Sequence, residues 1–182
     1  MCLEAGLKRG GGSISFIIVD GYNLIGIHHK DPEARRSLLI DLLAQYGRKK
    51  GHRITVVFDG WKDGLGKESS SMSGGVRVIY SRLGEKADAV IRRIVSTERR
   101  EWIVVSSDRE IAAHAWSMNS VPVPSEKFLS ILERGDAGRI GDAAPYGQDK
   151  DEDDGDRQYT RKGSARTLSR KEKTLQRVLE RL

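Results

Sequence analysis

Four carboxylates and one amide carry most of the chemical content of this sequence. Asp20 closes one β-branched and aromatic run, Asp59 closes a second, and Asp108 stands just past a third. In an open parallel sheet the carboxyl ends of the strands line the binding crevice. Three aspartates from three strands are therefore expected on one sheet edge. Asp88 lies in the first turns of a helical stretch and, at about 100° per residue, falls beside Ile91 and Val95 at the margin of the buried face. Carboxylates gathered at a partly dry site repel one another and resist ionisation unless a cation sits between them. Mg²⁺ or Mn²⁺ suits such hard oxygen ligands and keeps waters for a phosphate oxygen. A site of this kind can activate water and stabilise the leaving oxygen in phosphodiester hydrolysis. In Asp20-Gly21-Tyr22-Asn23 the Asn23 amide lies one short turn past the strand-end acid, where it could orient a metal-bound water or a phosphate.

Each acid also has a plainer role. Asp20-Gly21 and Asp59-Gly60 are ordinary turn dipeptides, Asp108 could be a favourable first-turn acid, and Asp88 could pair with Arg92 at i+4. The joint pattern, more than any single residue, points to a metal site.

The elements that must position these groups follow from periodicity. Ser13–Val19 reads as a strand, and Asp31-Pro32 as an N-cap with proline at the first helical position. Leu38, Leu39, Leu42, Leu43 and Tyr46 form the stripe of the helix that follows, closed by Gly47 or Gly51. Ile54–Phe58 is the second strand, residues 60–75 a Gly/Ser-rich mobile loop, and Val76–Tyr80 the third strand. Gly84–Glu98 is helical and Trp102–Val105 is the fourth strand. Ser107 and Glu110 make a capping box for a helix reaching about Asn119. Val121–Val123 and Ser125–Arg134 complete the core. Alternating strands and helices give an α/β domain over residues 14–134, with a mainly parallel sheet of about five strands. Residues 1–13 read as a disordered lead and 135–165 as an acidic flexible linker. Residues 166–182 read as a basic helix opened by a Ser169–Glu172 capping box, with Leu168, Leu175, Val178, Leu179 and Leu182 as its apolar stripe.

The chain has 182 residues, 37% hydrophobic and 32% charged, enough for one core and an appendage but not for two cores. No run approaches the ~18 apolar residues of a membrane span. Met1–Gly6 holds an early acid and no apolar stretch, so a secretory leader is not expected and the cytoplasm is the simplest location. A single cysteine, Cys2, excludes intrachain disulfides and cysteine-based zinc sites. The net charge of +6 is segregated: +5 over residues 1–134, −5 over 135–158 and +6 over 159–182. The basic end could bind nucleic acid or pair with the acidic stretch before it.

Other motifs fall away. Gly60 to Lys67 is not a phosphate loop: Gly60 and Gly66 are one residue too far apart, Glu68 replaces Ser/Thr, and no helix follows. His28-His29 lacks further metal ligands nearby, and His52 and His114 read as surface or core-edge residues. An aspartyl-phosphate phosphatase needs a second aspartate where Tyr22 stands.

Asp20-Gly21-Tyr22-Asn23 resembles the signature of the YacP-like NYN family, PIN-like bacterial endoribonucleases. Val56-Val57-Phe58-Asp59, Glu85-Lys86-Ala87-Asp88 with Ile91, and Val104-Val105-Ser106-Ser107-Asp108 resemble further family elements in the same order, covering about residues 15–134. The resemblance implies a PIN-like α/β/α fold and metal-dependent RNA cleavage. Asp20, Asp88 and Asp108 would be ligands of Mg²⁺ or Mn²⁺, and Asn23 would assist at the scissile phosphate. Asp59 would act directly or through water, and Glu85 as a ligand or a support for Asp88. The sequence departs from the family at Lys86, where threonine is usual, and at Asn119, where glycine is common. Arg82, Lys86, Arg92, Arg93 and Arg109 could form a basic rim for RNA phosphate. Lys62 could join it, and Trp61 could stack on an unpaired base, which favours single-stranded RNA, while Trp102 and Trp116 read as core. The C-terminal helix could dock by its stripe or grip structured RNA, including ribosomal RNA, and the acidic linker would screen that surface. A binding module for RNA or the ribosome that has lost cleavage is the competing reading; a nucleotide phosphatase is a weaker third.

Overall fold

A computed structural model describes residues 14–26, 31–60, 67–98, 100–134 and 168–182. The expected disordered lead, the linker over 135–165 and the pair Trp61 and Lys62 lie outside these residues. Six strands form one sheet: β1 (Phe16–Asp20), β2 (Arg53–Phe58), β3 (Ser69–Ser73), β4 (Val76–Tyr80), β5 (Trp102–Val105) and β6 (Val121–Val123). Their order is β3-β4-β2-β1-β5-β6, and every pairing except β3 with β4 is parallel.

The helices are α1 (Gly21–Ile25), α2 (Pro32–Lys50), α3 (Ala87–Thr97), α4 (Arg109–Ser117), α5 (Ser125–Arg134) and α6 (Arg170–Arg181). They divide by the two-residue alternation of the strands. Ile17, Val19, Val56 and Phe58 face a core shared with α1, α2, α5 and α6. Ile18, Val57, Ile79 and Val104 face α3 and α4. The result is the expected three-layer α/β/α arrangement, with β1 near the middle of the sheet.

Local signals explain most boundaries. Asp31 accepts a hydrogen bond from Ala34 N, Pro32 opens α2, and Gly51 closes it in the left-handed region at φ 72°. Ser169 and Glu172 form the expected capping box of α6. Asn119 also adopts a left-handed φ, 51°, the conformation that glycine takes without strain.

Several expectations need correction. The loop expected over 60–75 contains β3, which turns through Gly74-Gly75 and pairs antiparallel with β4, so the sheet has six strands rather than about five. Its first three residues are serine, and only pairing with β4 reveals the strand. The helix expected from Gly84 begins at Ala87, because Gly84 sits at φ +82° and breaks the turn. Asp108, not Ser107, caps α4: its Oδ1 accepts from Glu110 N and Ile111 N. Ser107 Oγ instead donates to Glu126 and accepts from Ser125 N. Leu38 is exposed, so α2 buries Arg36 along with Leu39, Leu42 and Leu43.

The C-terminal helix docks on the core. Val178 and Leu182 are buried, Leu175 and Leu179 are partly so, and Tyr46 Oη donates to the Leu182 carbonyl. Leu168, expected in the stripe, is exposed. Trp102 is core, as expected, whereas Trp116 is half-buried with the Lys171 ammonium 5.5 Å from its ring centre. His52, read as a surface or core-edge residue, is 9% exposed.

The turn after β2 tolerates no side chain. A Cβ on Gly60 would lie 1.8 Å from the Ser81 carbonyl oxygen, because Gly60 N donates to Ser81 Oγ at 3.0 Å and draws the two backbones together. Gly60→Ala is expected to destabilise the protein by about 3 kcal/mol, the upper end of the usual overpacking cost. The midpoint of a urea transition measures the loss, and an unchanged midpoint would contradict this close approach.

Candidate active site

The alternation that sorts the core also aims the acids. Asp20 lies two residues beyond Ile18, and Asp59 two beyond Val57, so both strand ends point to the α3/α4 side. Asp108 joins them from the end of the β5 connection and Asp88 from the first turn of α3. The expected convergence at the carboxyl edge is present.

Three of the four aspartates do the same local work. Asp20 Oδ1 accepts from Asn23 N at 3.1 Å and caps α1. Asp108 Oδ1 caps α4 at 2.7 and 3.0 Å. Asp59 Oδ1 accepts from Ala87 N, the first residue of α3, where the formal N-cap Lys86 supplies no side-chain bond. Each aspartate thus places one oxygen at a helix N-terminus, whose partial positive charge favours an anion. These bonds leave Oδ2 of each for other chemistry.

The electrostatics centre on Asp20, which is 7% exposed. Burial pushes its pKa from 3.8 up to about 6; the hydrogen bond from Asn23 opposes the rise, and the charges of Asp88, Asp59 and Asp108 add to it. The donor set is all oxygen and mutually repulsive, which is the chemistry that suits a hard divalent cation. Among the described residues, no three acid or histidine side chains already stand close enough to share an ion.

Asn23 is held by its carbonyl. Its Oδ1 accepts from Ser107 N at 2.9 Å and from Ser125 Oγ at 2.5 Å, tying α1 to the β5–α4 connection and to the start of α5. What the side chain offers a ligand is its NH₂ donor. Ser107 and Ser125, which hold it, were legible only as loop and helix-start serines.

The expected basic rim is largely paired. Arg82 bridges Glu85 at 3.2 Å, Arg92 bridges Glu110 rather than Asp88 at 3.8 Å, and Arg93 pairs with Glu68 and Glu85. Glu85 is therefore engaged by two arginines ahead of α3. Lys86 and Arg109 are exposed at the starts of α3 and α4. The bases of α6 lie elsewhere: Arg170, Lys171, Arg177 and Arg181 border a groove of about 1300 Å³ with Arg100 and Trp116, at the amino ends of β5 and β6.

One charged residue near the site is absent from the set expected on sequence grounds. Arg36 is 7% exposed, donates to Tyr22 Oη at 3.3 Å, and lies 5.6 Å from the Tyr80 ring centre. Its signal was spacing: Leu39 at i+3 and Leu43 at i+7 put Arg36 on the apolar face of α2.

Known proteins share this fold and its sequence pattern. The model of the YacP-like NYN domain matches residues 17–177. A Bacillus subtilis (strain 168) protein described as uncharacterized protein YacP is 34% identical over 88 residues, 44% of this chain and 51% of that one. The match thus spans about half the length of that relative. The crystal structure of Rae1 (YacP) from Bacillus subtilis superposes with a TM-score of 0.54 at 26% identity, over 66% of this chain and 75% of that one. A mutant of the same protein gives 0.53 at 23% identity over the same shares, a likeness of fold.

The raised pKa of Asp20 makes a stability prediction. Because its folded pKa lies above the unfolded value, ionised Asp20 opposes folding above pH 6 by about 2–3 kcal/mol. Asn keeps an oxygen for the α1 cap and carries no charge. Asp20→Asn is expected to melt several degrees above wild type at pH 7–8. The difference should shrink as pH falls through about 6 and vanish below about 4. Paired thermal melts across pH check this, and a less stable Asp20→Asn at pH 7 would contradict it.

Proposed function

Because the chain belongs to the YacP-like NYN domain family, nuclease-like proteins of PIN-like fold, we propose that it is a divalent-metal-dependent endoribonuclease acting on single-stranded RNA in the cytoplasm. The observation that carries this reading is the buried Asp20 carboxylate, its pKa raised in part by three other aspartates on one sheet edge.

In this reading Asp20, Asp88 and Asp108 would hold Mg²⁺ or Mn²⁺, with Asp59 contributing directly or through water. A bound divalent cation supplies Lewis acidity toward a phosphate oxygen and acidifies water. Asp20 must be ionised to serve as a ligand, so apparent metal affinity falls as pH drops below about 6. Asn23 directs its NH₂ to a non-bridging phosphate oxygen, since its carbonyl is committed to Ser107 and Ser125. Glu85, engaged by Arg82 and Arg93, supports the start of α3 and the placement of Asp88. Lys86 and Arg109 stand exposed at two helix starts beside the acids, where phosphate neutralisation is needed. Exposed arginine pairs are weak enough for Arg82 and Arg92 to exchange their acids for RNA phosphate. Trp61 and Lys62 would extend that rim.

A second reading, an RNA- or ribosome-binding module of the same fold without cleavage, draws on the lack of three preassembled ligands among the described residues. One experiment separates the two. Labelled unstructured RNA, free or presented on ribosomes, is incubated with wild type, Asp20→Asn and Asp108→Asn in Mg²⁺, Mn²⁺ or EDTA. Metal-dependent cutting is expected. It should fall in either variant by more than the roughly 100-fold that loss of a merely supporting group costs. Binding without cutting under every condition would favour the second reading, and metal-dependent cutting retained by a clean Asp20→Asn/Asp108→Asn double variant would overturn the assignment.

A further inference from the structure

A cavity of about 340 Å³ opens on the opposite side of the same sheet edge from the aspartates. Gly60, the residue after Asp59, is part of its lining. Arg36 and Ser37 line it from α2, Tyr80 and Ser81 from the end of β4, Lys67 from the approach to β3 and Ser69 from its first position. Its size is at the lower end of ordinary ligand sites, about 300–1,000 Å³.

The walls are fixed. Ser81 Oγ accepts from Gly60 N and donates to the Glu85 carbonyl. Tyr80 stacks on Phe58 with ring centres 5.6 Å apart, and Phe58 packs edge-on against Tyr22 at 5.4 Å. The guanidinium of Arg36 is held between Tyr22 Oη and the Tyr80 ring, so its orientation is set before any ligand arrives. Tyr22 lies two residues past Asp20, which couples this wall to the carboxylate site through α1.

The lining selects a class of ligand. Among the described residues the lining groups are two cations, three serines, one tyrosine and one acid, Glu33. Phe58 already occupies one face of Tyr80 and the Arg36 guanidinium lies over the ring, which argues against a stacked base. The Arg36 guanidinium, the Lys67 ammonium and the hydroxyls of Ser37 and Ser69 together suit a phosphate group. We propose that this cavity binds a phosphate of the RNA strand next to the one at the aspartates, with Arg36 and Lys67 as its cations. The strand then crosses the sheet edge at Asp59-Gly60, from the α3/α4 side to the α2 side. This inference rests on the reading of the chain as an RNA-cleaving protein and adds a second contact to it. An internal phosphodiester and a terminal phosphate share this chemistry; the crossing geometry favours the internal one.

The test measures binding without cutting, in the Asp20→Asn background, using a short labelled oligouridylate with either a 5′-hydroxyl or a 5′-phosphate. Lys67→Glu alters an exposed side chain and is expected to fold normally. It should weaken binding roughly tenfold and reduce the salt dependence by about 0.7 per lost phosphate contact, while Lys67→Arg retains affinity. Arg36→Gln, checked for folding by thermal melting, should act the same way. Equal binding of the two 5′ ends assigns an internal phosphodiester, and tighter binding of the 5′-phosphate assigns a terminal group. Affinity within twofold of the parent and an unchanged salt slope, in Lys67→Glu and in folded Arg36→Gln, would overturn the proposal. If wild type cuts no RNA in any metal but binding still depends on Lys67, the phosphate pocket stands and the cleavage reading falls. If wild type cuts RNA but binding is indifferent to both variants, the cleavage reading stands and the phosphate pocket falls.

Discussion

The structure turns on a division of labour within single carboxylates. Asp20, Asp59 and Asp108 each give one oxygen to the N-terminus of a helix, and those three bonds decide where α1, α3 and α4 leave the sheet. The groups that would hold a cation are thus the groups that set the angles of the surrounding helices. A carboxylate can serve both ends because its two oxygens diverge, and a helix N-terminus partly offsets its charge. The arrangement costs stability at Asp20, where burial and three like charges act on one group. Such stored destabilisation is common at sites that await a ligand.

Positive charge is distributed in two different states. Around the aspartates, Arg82, Arg92 and Arg93 are tied to glutamates, which lowers the net field there while keeping cations within reach. Along α6, Arg170, Lys171, Arg177 and Arg181 line a wide groove at the other end of β5 and β6, with Glu101 and Glu180 as its only acids among the described residues. The sequence shows both sets as basic patches. Only the fold shows that one is neutralised in place and that the other lies away from the chemistry.

Much of this was legible from the chain. Strands rich in Val and Ile, the Asp31-Pro32 start and the Ser169–Glu172 box all act through local rules, and local rules survive folding. Period-2 alternation was enough to bring Asp20 and Asp59 to one side. What failed depended on competition or distance. Ser107 and Asp108 are both good caps, and tertiary bonds from Ser107 to Glu126 and Ser125 decided between them. α1 has five residues, too few to show a period. β3 is serine-rich and exists through its register with β4. Arg36 is absent from the expected set: its spacing to Leu39 and Leu43 places it on the apolar face of α2, but nothing local announces the two tyrosines that receive it.

Both borders of the sheet are also built to refuse further strands. On one side β3 presents Ser69, Ser70 and Ser71 with little apolar surface besides Met72. On the other, β6 is three residues long, carries Pro122 at its centre and has α6 packed beside it. An exposed edge invites another chain to add itself, and short strands, proline and a covering helix are the usual deterrents. The docked C-terminal helix is thus a third deterrent at that border: Val178 and Leu182, buried in the core, hold it beside β6, where a second copy would otherwise meet a short, proline-centred edge.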